Sequence, residues 1–229
     1  MSLILSCEHA SGRVPTRFAG VFANRAARSA LGSHRGLDLG ALALAQALAK
    51  RCKVPLLAGQ QTRLLIDLNR SVGHRNLLSE WSRRLSTVHI EELQAIHAAH
   101  WAELAARVRN SKGPAVHVAV HSFTPVLAGK SRDFDVGLLY DPRRSGEVAL
   151  AGRLHAALSE RGLLARRNAP YRGSADGATT SLRRQFSPAR YVGLELEVNQ
   201  ALLWHEPDAD KQRAVLAALV AVLPEFTQQ

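Results

Sequence analysis

The sequence is poor in cysteine and in aromatic residues, and it has no apolar run long enough to span a bilayer. Cys7 and Cys52 are the only cysteines, which allows at most one disulfide, and we expect two reduced thiols in a cytoplasmic protein. Aromatic residues make up 5% of the chain, which predicts a core of Leu, Ala and Val. The chain begins without a basic leader, and we interpret its first residues as a strand and not as a signal peptide.

Acidic residues are also scarce. The chain has 19 Asp and Glu against 30 Lys and Arg, for a formal net charge of +11, a balance typical of nucleic-acid-binding domains. However, the arginines occur in scattered pairs without a sustained basic stripe, and no aromatic residues alternate with them to stack bases. We therefore favour exposed arginines, some of which steer an anionic substrate, over nucleic-acid binding. A basic binding module without catalysis remains an alternative.

The length of 229 residues fits a single domain that covers residues 1–229. Strand-like and helical patterns alternate along the chain, which predicts an α/β fold with a mostly parallel sheet covered by helices on both faces. The predicted strands cover residues 3–6, 54–57, 64–66, 115–120, 136–140, 163–166 and 191–198. The predicted helices cover residues 37–51, 90–108, 146–158 and 209–223. The loop at residues 168–177 is the best candidate for a functional lid.

Three predicted strands end in residues that carry chemistry. Glu8 and His9 follow the first strand, and His121 follows a later one. Glu195 and Glu197 are two positions apart on the last strand, so they face the same side. A carboxylate inside an apolar strand is costly without a partner, and a metal or an arginine supplies one. Two histidines and one carboxylate make an open zinc site, and Glu197 would then be the general base that takes a proton from water.

Residues 61–71 contain the densest set of polar groups. An apolar run is preceded by Arg63 and followed by Asp67, Asn69 and Arg70. In α/β folds the carboxyl ends of strands line the binding crevice. Guanidinium groups match carboxylates bidentately and stay charged at physiological pH. The two arginines and the asparagine therefore predict a receptor for a substrate carboxylate.

Five segments of the chain resemble those of a known family. They are Ser6-Cys7-Glu8-His9-Ala10, His34-x-x-x-Asp38-x-Gly40-Ala41, Arg63-Leu64-Leu65-Ile66-Asp67-Leu68-Asn69-Arg70, His121-Ser122-Phe123-Thr124-Pro125 and Asn168-x-Pro170-Tyr171. In this order, and over nearly the whole chain, they resemble the N-formylglutamate amidohydrolases, which are related to the zinc carboxypeptidases, aspartoacylase and succinylglutamate desuccinylase. The resemblance implies a Zn²⁺-dependent amidohydrolase. It also implies a three-layer α/β/α fold of the phosphorylase/hydrolase type (zinc-carboxypeptidase-like), with a mixed, mostly parallel sheet.

The resemblance assigns roles to individual residues. It implies that Asn69 and Arg70 bind the substrate carboxylate and that Arg63 polarises the scissile carbonyl and stabilises the oxyanion. It places the catalytic glutamate in a late strand, at Glu197. In the late loop, we expect Tyr171 to contact the substrate, with a plain turn residue as the alternative.

The carboxylate ligand of the metal is less well defined. The relatives use His-x-x-Glu for the first two zinc ligands, whereas the residue three positions after His9 is a glycine. The carboxylate beside His9 and His121 therefore has to come from elsewhere, and Glu8 and Asp38 are both candidates that spacing does not separate. Asp38 has two other interpretations, because it could pair with His34 or cap the helix that follows.

The expected function is hydrolysis of an N-acyl acidic amino acid, with N-formyl-L-glutamate as the leading substrate. A carboxypeptidase-like or peptidoglycan-directed amidase is the alternative, and an open groove behind Arg70 would favour it over a shallow, closed pocket. Two further interpretations remain. Cys7 and His9 could form a thiol dyad. His97 and His100, which follow the apolar positions of the predicted helix, are expected to have packing or surface roles.

Overall fold

A computed structural model describes residues 1–204 and 207–227. These residues form eight strands and six α-helices, with short 3-10 turns between them. The strands are β1 (Ser2–Cys7), β2 (Leu56–Ala58), β3 (Ala115–Phe123), β4 (Val126–Leu127), β5 (Lys130–Ser131), β6 (Val136–Leu139), β7 (Ala165–Arg167) and β8 (Tyr191–Asn199). The helices are α1 (Arg25–Leu31), α2 (Ala41–Cys52), α3 (Thr87–Asn110), α4 (Ser145–Ser159), α5 (Ala178–Gln185) and α6 (Ala209–Val222). None of the described helices is both long and apolar enough to span a membrane.

Six strands form one mixed sheet in the order β2-β1-β3-β8-β6-β7, and β4 and β5 form a separate hairpin. β1 pairs in parallel with β2 and β3, and β3 pairs in parallel with β8. β6 runs antiparallel to β8 and parallel to β7. The carboxyl ends of β1, β3 and β8 therefore meet at one edge of the sheet, which is where α/β folds bind their ligands. The prediction of a mixed, mostly parallel sheet is confirmed.

Helices cover both faces of this sheet. On β1, Leu3 and Leu5 pack into a large aliphatic core with α2, α4 and α6, whereas Ile4 packs into a smaller cluster with α3 and α5. Because successive side chains of a strand point to opposite faces, this division follows directly from the strand geometry. The result is the predicted three-layer α/β/α arrangement, and the larger core has the Leu, Ala and Val composition that the sequence predicts.

The same alternation separates apolar from ionisable side chains on the central strands. On β3, Val118 and Val120 pack into the larger core, so His121 faces the opposite side, towards α3 and α5. On β8, the apolar positions belong to the larger core, so Glu195 and Glu197 also face the α3 and α5 side. Both strands thus carry their ionisable groups to the same face, near the carboxyl edge.

The prediction of a strand at residues 64–66 is wrong. Residues 63–65 form a turn, and the apolar side chains of this segment are buried in a separate cluster with Phe18 and Trp81. A short apolar run has the same pattern in a buried strand and in a buried turn, so periodicity alone does not distinguish them. The polar residues that follow are therefore presented by a compact loop and not by a strand end.

Other predicted boundaries of helices and strands differ from those of the structure by a few residues. The helix predicted from residue 37 begins at Ala41, because Gly40 before it has a φ of +79°. A Cβ on Gly40 would also lie 2.4 Å from the Cβ of Leu203, so the close approach requires a glycine there. The strand predicted at residues 54–57 is β2, displaced towards the carboxyl end. α1, α5 and the β4–β5 hairpin have no counterpart among the predicted elements.

Candidate active site

A cavity of about 250 Å³ lies at the carboxyl ends of β1, β3 and β8. Its wall contains every predicted site residue except Glu8: His9, Asp38, Arg63, Asn69, Arg70, His121, Tyr171 and Glu197. The cavity thus collects residues from the ends of three strands, from the loop after β2 and from the loop after β7.

Three of these residues converge on one point. His9, Asp38 and His121 are buried, and one donor atom from each lies within 4.8 Å of the other two. Oδ2 of Asp38 is 3.2 Å from Nδ1 of His9 and 2.9 Å from Nδ1 of His121. Within residues 1–204 and 207–227, no other cluster of His, Cys, Asp and Glu has this geometry. Two imidazoles and one carboxylate make up a common donor set of catalytic zinc sites.

The far nitrogen of each imidazole lies near a second carboxylate. Nε2 of His9 is 2.7 Å from Oδ1 of Asp67, and Nε2 of His121 is 3.2 Å from Oε2 of Glu8. An Nε2–H group that faces a carboxylate leaves the Nδ1 lone pair free, and both lone pairs then point towards Asp38. Three lone-pair donors at this distance repel one another unless a proton or a metal cation lies between them, so the donor set can hold a divalent metal in place of the protons. Glu8 lies behind His121 and is not a member of the converging group.

The electrostatic surroundings also favour a positive charge at this point. Burial opposes the imidazolium form of His121, yet the Asp38 and Glu8 carboxylates raise the pKa of this histidine well above its ordinary value. Burial would also raise the pKa of Asp67, but Arg63 and His9 hold it well below its usual range. Both carboxylates behind the imidazoles are nearly inaccessible to solvent. The negative potential at the site is therefore screened little by water.

Glu197 lies in the same cavity, and its carboxyl group has an unusual pKa. Its side chain is buried, and this burial raises the pKa of Glu197 to about 8. Oε2 of Glu197 has no hydrogen-bond partner among the described residues. A carboxyl group with a pKa near neutrality can both accept and return a proton. Glu195 also faces the cavity, where it accepts a hydrogen bond of 2.6 Å from Thr179, and no arginine within residues 1–204 and 207–227 pairs with it.

Asn69 and Arg70 are held rigidly at the cavity wall. Oδ1 of Asn69 accepts a hydrogen bond of 2.8 Å from the backbone N–H of Ala178, and Nη1 of Arg70 donates to the carbonyl oxygen of Asp176 at 2.8 Å. Nε of Arg70 is buried and has no partner among the described residues. This arrangement holds the guanidinium at the wall of the cavity, where its charge favours an anionic group such as a carboxylate.

Arg63 bridges two carboxylates of the site by hydrogen bonds. Its Nη2 and Nε donate to Oδ2 of Asp67 at 2.7 and 3.2 Å, and its Nη1 donates to Oδ1 of Asp38 at 3.4 Å. The guanidinium therefore lies beside the converging donors, with its side chain 23% exposed. It is close enough to contact a group that binds at this point.

The loop after β7 closes one side of the cavity. Oδ2 of Asp176 accepts a hydrogen bond of 2.9 Å from the backbone of Ser71, which ties the loop to the Asn69 and Arg70 segment. The hydroxyl of Tyr171 accepts a hydrogen bond of 3.3 Å from Arg132, whose guanidinium lies 5.2 Å from the ring centre. The sequence marked the loop that contains Asp176 but not this residue itself, and it did not point to Arg132 because the hairpin was not predicted.

Helix α3 supports the site from behind. Nε2 of His97 lies 2.7 Å from the carbonyl oxygen of Arg70, and the indole N–H of Trp101 donates to the carbonyl oxygen of Leu68 at 2.7 Å. The sequence placed His97 on the apolar face with a packing or surface role, and its contact with the Arg70 backbone adds a polar role to that packing. The amphipathic pattern identified the helix but not which of its polar groups contact the site.

Comparisons with known proteins show the family and the fold of this chain. The chain matches the family model of N-formylglutamate amidohydrolases over residues 1–204. The crystal structure of gene product Atu2144 from Agrobacterium tumefaciens is similar, with 25% identity and a TM-score of 0.79 over 98% of this chain and 90% of that chain. The N-formylglutamate amidohydrolase from Ralstonia eutropha JMP134 shares the fold, with 19% identity and a TM-score of 0.66 over 98% of this chain and 93% of that chain. A comparison with curated protein sequences finds no match. Because the family model covers most of its length, the chain belongs to the N-formylglutamate amidohydrolase family.

Proposed function

We propose that the protein is a Zn²⁺-dependent amidohydrolase that cleaves the amide of an N-acyl acidic amino acid, with N-formyl-L-glutamate as the leading substrate. One observation carries the proposal: His9, Asp38 and His121 converge in the same small cavity as Glu197 and Arg70. Family membership supports the hydrolytic reaction and the N-formyl group.

In this proposal the metal is held by Nδ1 of His9, Oδ2 of Asp38 and Nδ1 of His121. When bound, a divalent ion polarises the substrate carbonyl and makes water more acidic. Zn²⁺ suits two imidazoles and one carboxylate, and the same donors also accept other divalent transition metals. Of the two carboxylates that the sequence left open as ligands, the geometry supports Asp38.

The chain's own residues then move the protons and stabilise charge. Glu197 takes a proton from the attacking water, whose oxygen bonds to the acyl carbon. When the C–N bond breaks, Glu197 returns the proton to the nitrogen of the departing amino acid. Arg63 lies beside the converging donors, where it stabilises the negative charge that develops on the carbonyl oxygen. The products are formate and a free amino acid when the acyl group is formyl.

Asn69 and Arg70 bind the substrate carboxylate and thereby set the position of the scissile bond. Both residues line the cavity, which supports this role. The cavity of about 250 Å³ is smaller than the roughly 300–1,000 Å³ of sites for drug-sized ligands, which favours a single acylated amino acid over a peptide. Tyr171, a residue that is 45% exposed and lines the cavity, is proposed to contact the substrate.

The partner in this proposal is a small anionic substrate and not a nucleic acid or a membrane. The net charge of +11 then assists the approach of an anion to the cavity. We also propose a cytoplasmic location, which two buried and unpaired cysteines support.

The test is a deformylation assay with the purified protein. N-formyl-L-glutamate should release formate and glutamate in equal amounts, chelation should abolish the release, and added Zn²⁺ should restore it. N-formyl-L-leucine is the matched neutral substrate, and a peptide that ends in glutamate tests the carboxypeptidase alternative. If the metal-loaded protein cleaves the peptide but no N-formyl amino acid, the proposed substrate class is wrong.

A further inference from the structure

Behind the candidate metal site lies a buried carboxylate that the proposed mechanism does not use. Glu8 is 1% exposed, and its Oε1 and Oε2 lie 3.5 Å from Nε2 of His100 and 3.2 Å from Nε2 of His121. Neither oxygen makes a hydrogen bond of ordinary geometry with any residue in the described ranges. A buried carboxylate without compensation is strongly unfavourable, so these two imidazoles are the groups available to provide it.

The contact with His121 determines how its ring presents its other nitrogen. Nδ1 of His121 faces Oδ2 of Asp38 at 2.9 Å, while Nε2 faces Glu8. A negative charge at Glu8 favours the tautomer with hydrogen on Nε2 and leaves the Nδ1 lone pair available to a metal. The contact also opposes rotation of the ring, because Nε2 lies 3.2 Å from one carboxylate and Nδ1 lies 2.9 Å from another on the opposite side.

His100 holds Glu8 from the other side. It lies on α3, 8% exposed, among residues of the cluster that packs this helix against β1. Glu8 follows β1 and points to the same side of the sheet as Ile4, which belongs to that cluster. His121, Glu8 and His100 therefore form a chain of ionisable groups from the candidate metal ligand to the covering helix.

We propose that Glu8 is a positioning residue for His121 and that His100 holds Glu8 in place. The proposal rests on the proposed function, since it requires His121 to bind a metal ion. It predicts that Glu8 acts on metal affinity and on the ligand field of the ion, and not by direct coordination. It gives His100 a polar role beyond the packing role that the sequence suggested.

The experiment measures Zn²⁺ and Co²⁺ binding to the full chain. Glu8→Gln keeps the shape of the side chain and removes its charge, and we expect about 10- to 100-fold weaker Zn²⁺ binding and shifted d–d absorption bands of bound Co²⁺. His100→Gln should weaken binding in the same direction by a smaller factor. His155→Gln, on α4 and outside the cavity, is the matched control and should leave both readouts unchanged. Circular dichroism confirms that each variant is folded.

The outcomes separate this proposal from the function on which it rests. If the wild-type chain binds no stoichiometric ion, both are overturned. If the wild-type chain binds one ion and Glu8→Gln shows the same affinity and the same Co²⁺ spectrum, only the positioning proposal is overturned. If Glu8→Gln does not fold, His100→Gln decides: weaker binding supports the proposal, and wild-type affinity with a wild-type spectrum overturns it.

Discussion

His121 on β3 lies directly opposite Glu197 on β8 in the parallel register of the sheet. Neighbouring strands are about 4.8 Å apart, so the two side chains emerge together on the same face. This pairing places a candidate metal ligand beside a candidate general base. The placement follows from the register of the two strands alone. The sheet thus positions these two groups, whereas Asp38, Asn69 and Arg70 are presented by loops.

Replacing Glu197 should separate proton transfer from metal binding. We expect Glu197→Gln to lower kcat by about 10²- to 10⁴-fold, because the amide keeps the shape of the side chain but accepts no proton. The metal content should not change, since Glu197 is not one of the three converging residues. Steady-state kinetics and elemental analysis measure the two effects. Glu195→Gln, two residues earlier on the same face, should retain most of kcat, and a wild-type kcat in Glu197→Gln would refute the assignment.

Replacing Arg70 should weaken substrate binding. We expect Arg70→Ala to raise KM by at least about tenfold, the scale of a lost charge-assisted hydrogen bond. Arg70→Lys keeps the charge but loses the bidentate fork, so its KM should be intermediate. Arg51→Ala, on the exposed end of α2, is the control for loss of one positive charge. An unchanged KM in Arg70→Ala would show that the carboxylate binds elsewhere.

Much of the fold could be predicted because the central strands are short apolar runs between helical patterns. β1, β3, β6 and β8 and the helices α3, α4 and α6 lie close to their predicted positions. The segment at residues 64–66 was assigned wrongly because burial, and not strand geometry, makes it apolar. α5 was missed because it is short and rich in Thr, Ser and Arg, with few apolar positions to show a helical period.

The site was predictable to the extent that motifs marked it. His9, His121 and Glu197 stand at or near strand ends in the sequence, and the structure brings them to one cavity. The choice between Glu8 and Asp38 depended on the path of the chain before α2, which turns Asp38 towards both imidazoles. Spacing along the chain contains no information on that path. The contacts that α3 makes with the site could not be predicted for the same reason.

The buried His117 should make the stability of the protein depend on pH. Its ring lies 2.7 Å from the hydroxyl of Ser6 and 2.8 Å from that of Tyr191, and burial lowers its pKa to about 4. In the unfolded chain this pKa is about 6.5, so between pH 6.5 and 4 the unfolded chain binds a proton that the folded protein does not. The titration of this histidine should therefore leave the free energy of unfolding unchanged above pH 6.5. As the pH falls to 4, it should lower the free energy of unfolding by an amount that approaches about 3 kcal/mol.

Urea unfolding at pH 7.5, 6 and 5 measures this dependence. His117→Gln retains hydrogen-bonding groups and lacks the titration, so its free energy of unfolding should fall less than that of the wild type over this range. Identical pH dependence in the two proteins would show that His117 does not titrate as described.

An ion pair between Glu147 and Arg183 should stabilise the face of the sheet below the late loop. Nε of Arg183 donates to Oε1 of Glu147 at 2.9 Å, and both side chains are buried. Arg183 also donates to the carbonyl oxygen of Gly173 in the late loop. Glu147→Ala leaves the guanidinium buried without its partner, and we expect a loss of about 3–5 kcal/mol in the free energy of unfolding.

Denaturant unfolding of Glu147→Ala tests this expectation. Arg184→Ala, at the adjacent exposed position of α5, is the control and should change the free energy of unfolding by less than about 0.5 kcal/mol. Equal stability of the two variants would mean that the buried pair contributes nothing beyond an exposed charge.

The position of a bound metal ion tests the proposed active site most directly. Crystals grown with Zn²⁺ and measured at the zinc absorption edge should show one anomalous peak about 2.0–2.2 Å from Nδ1 of His9, Oδ2 of Asp38 and Nδ1 of His121. A crystal without this peak, or with a zinc ion bound by Glu8 in place of Asp38, would contradict the proposed metal site.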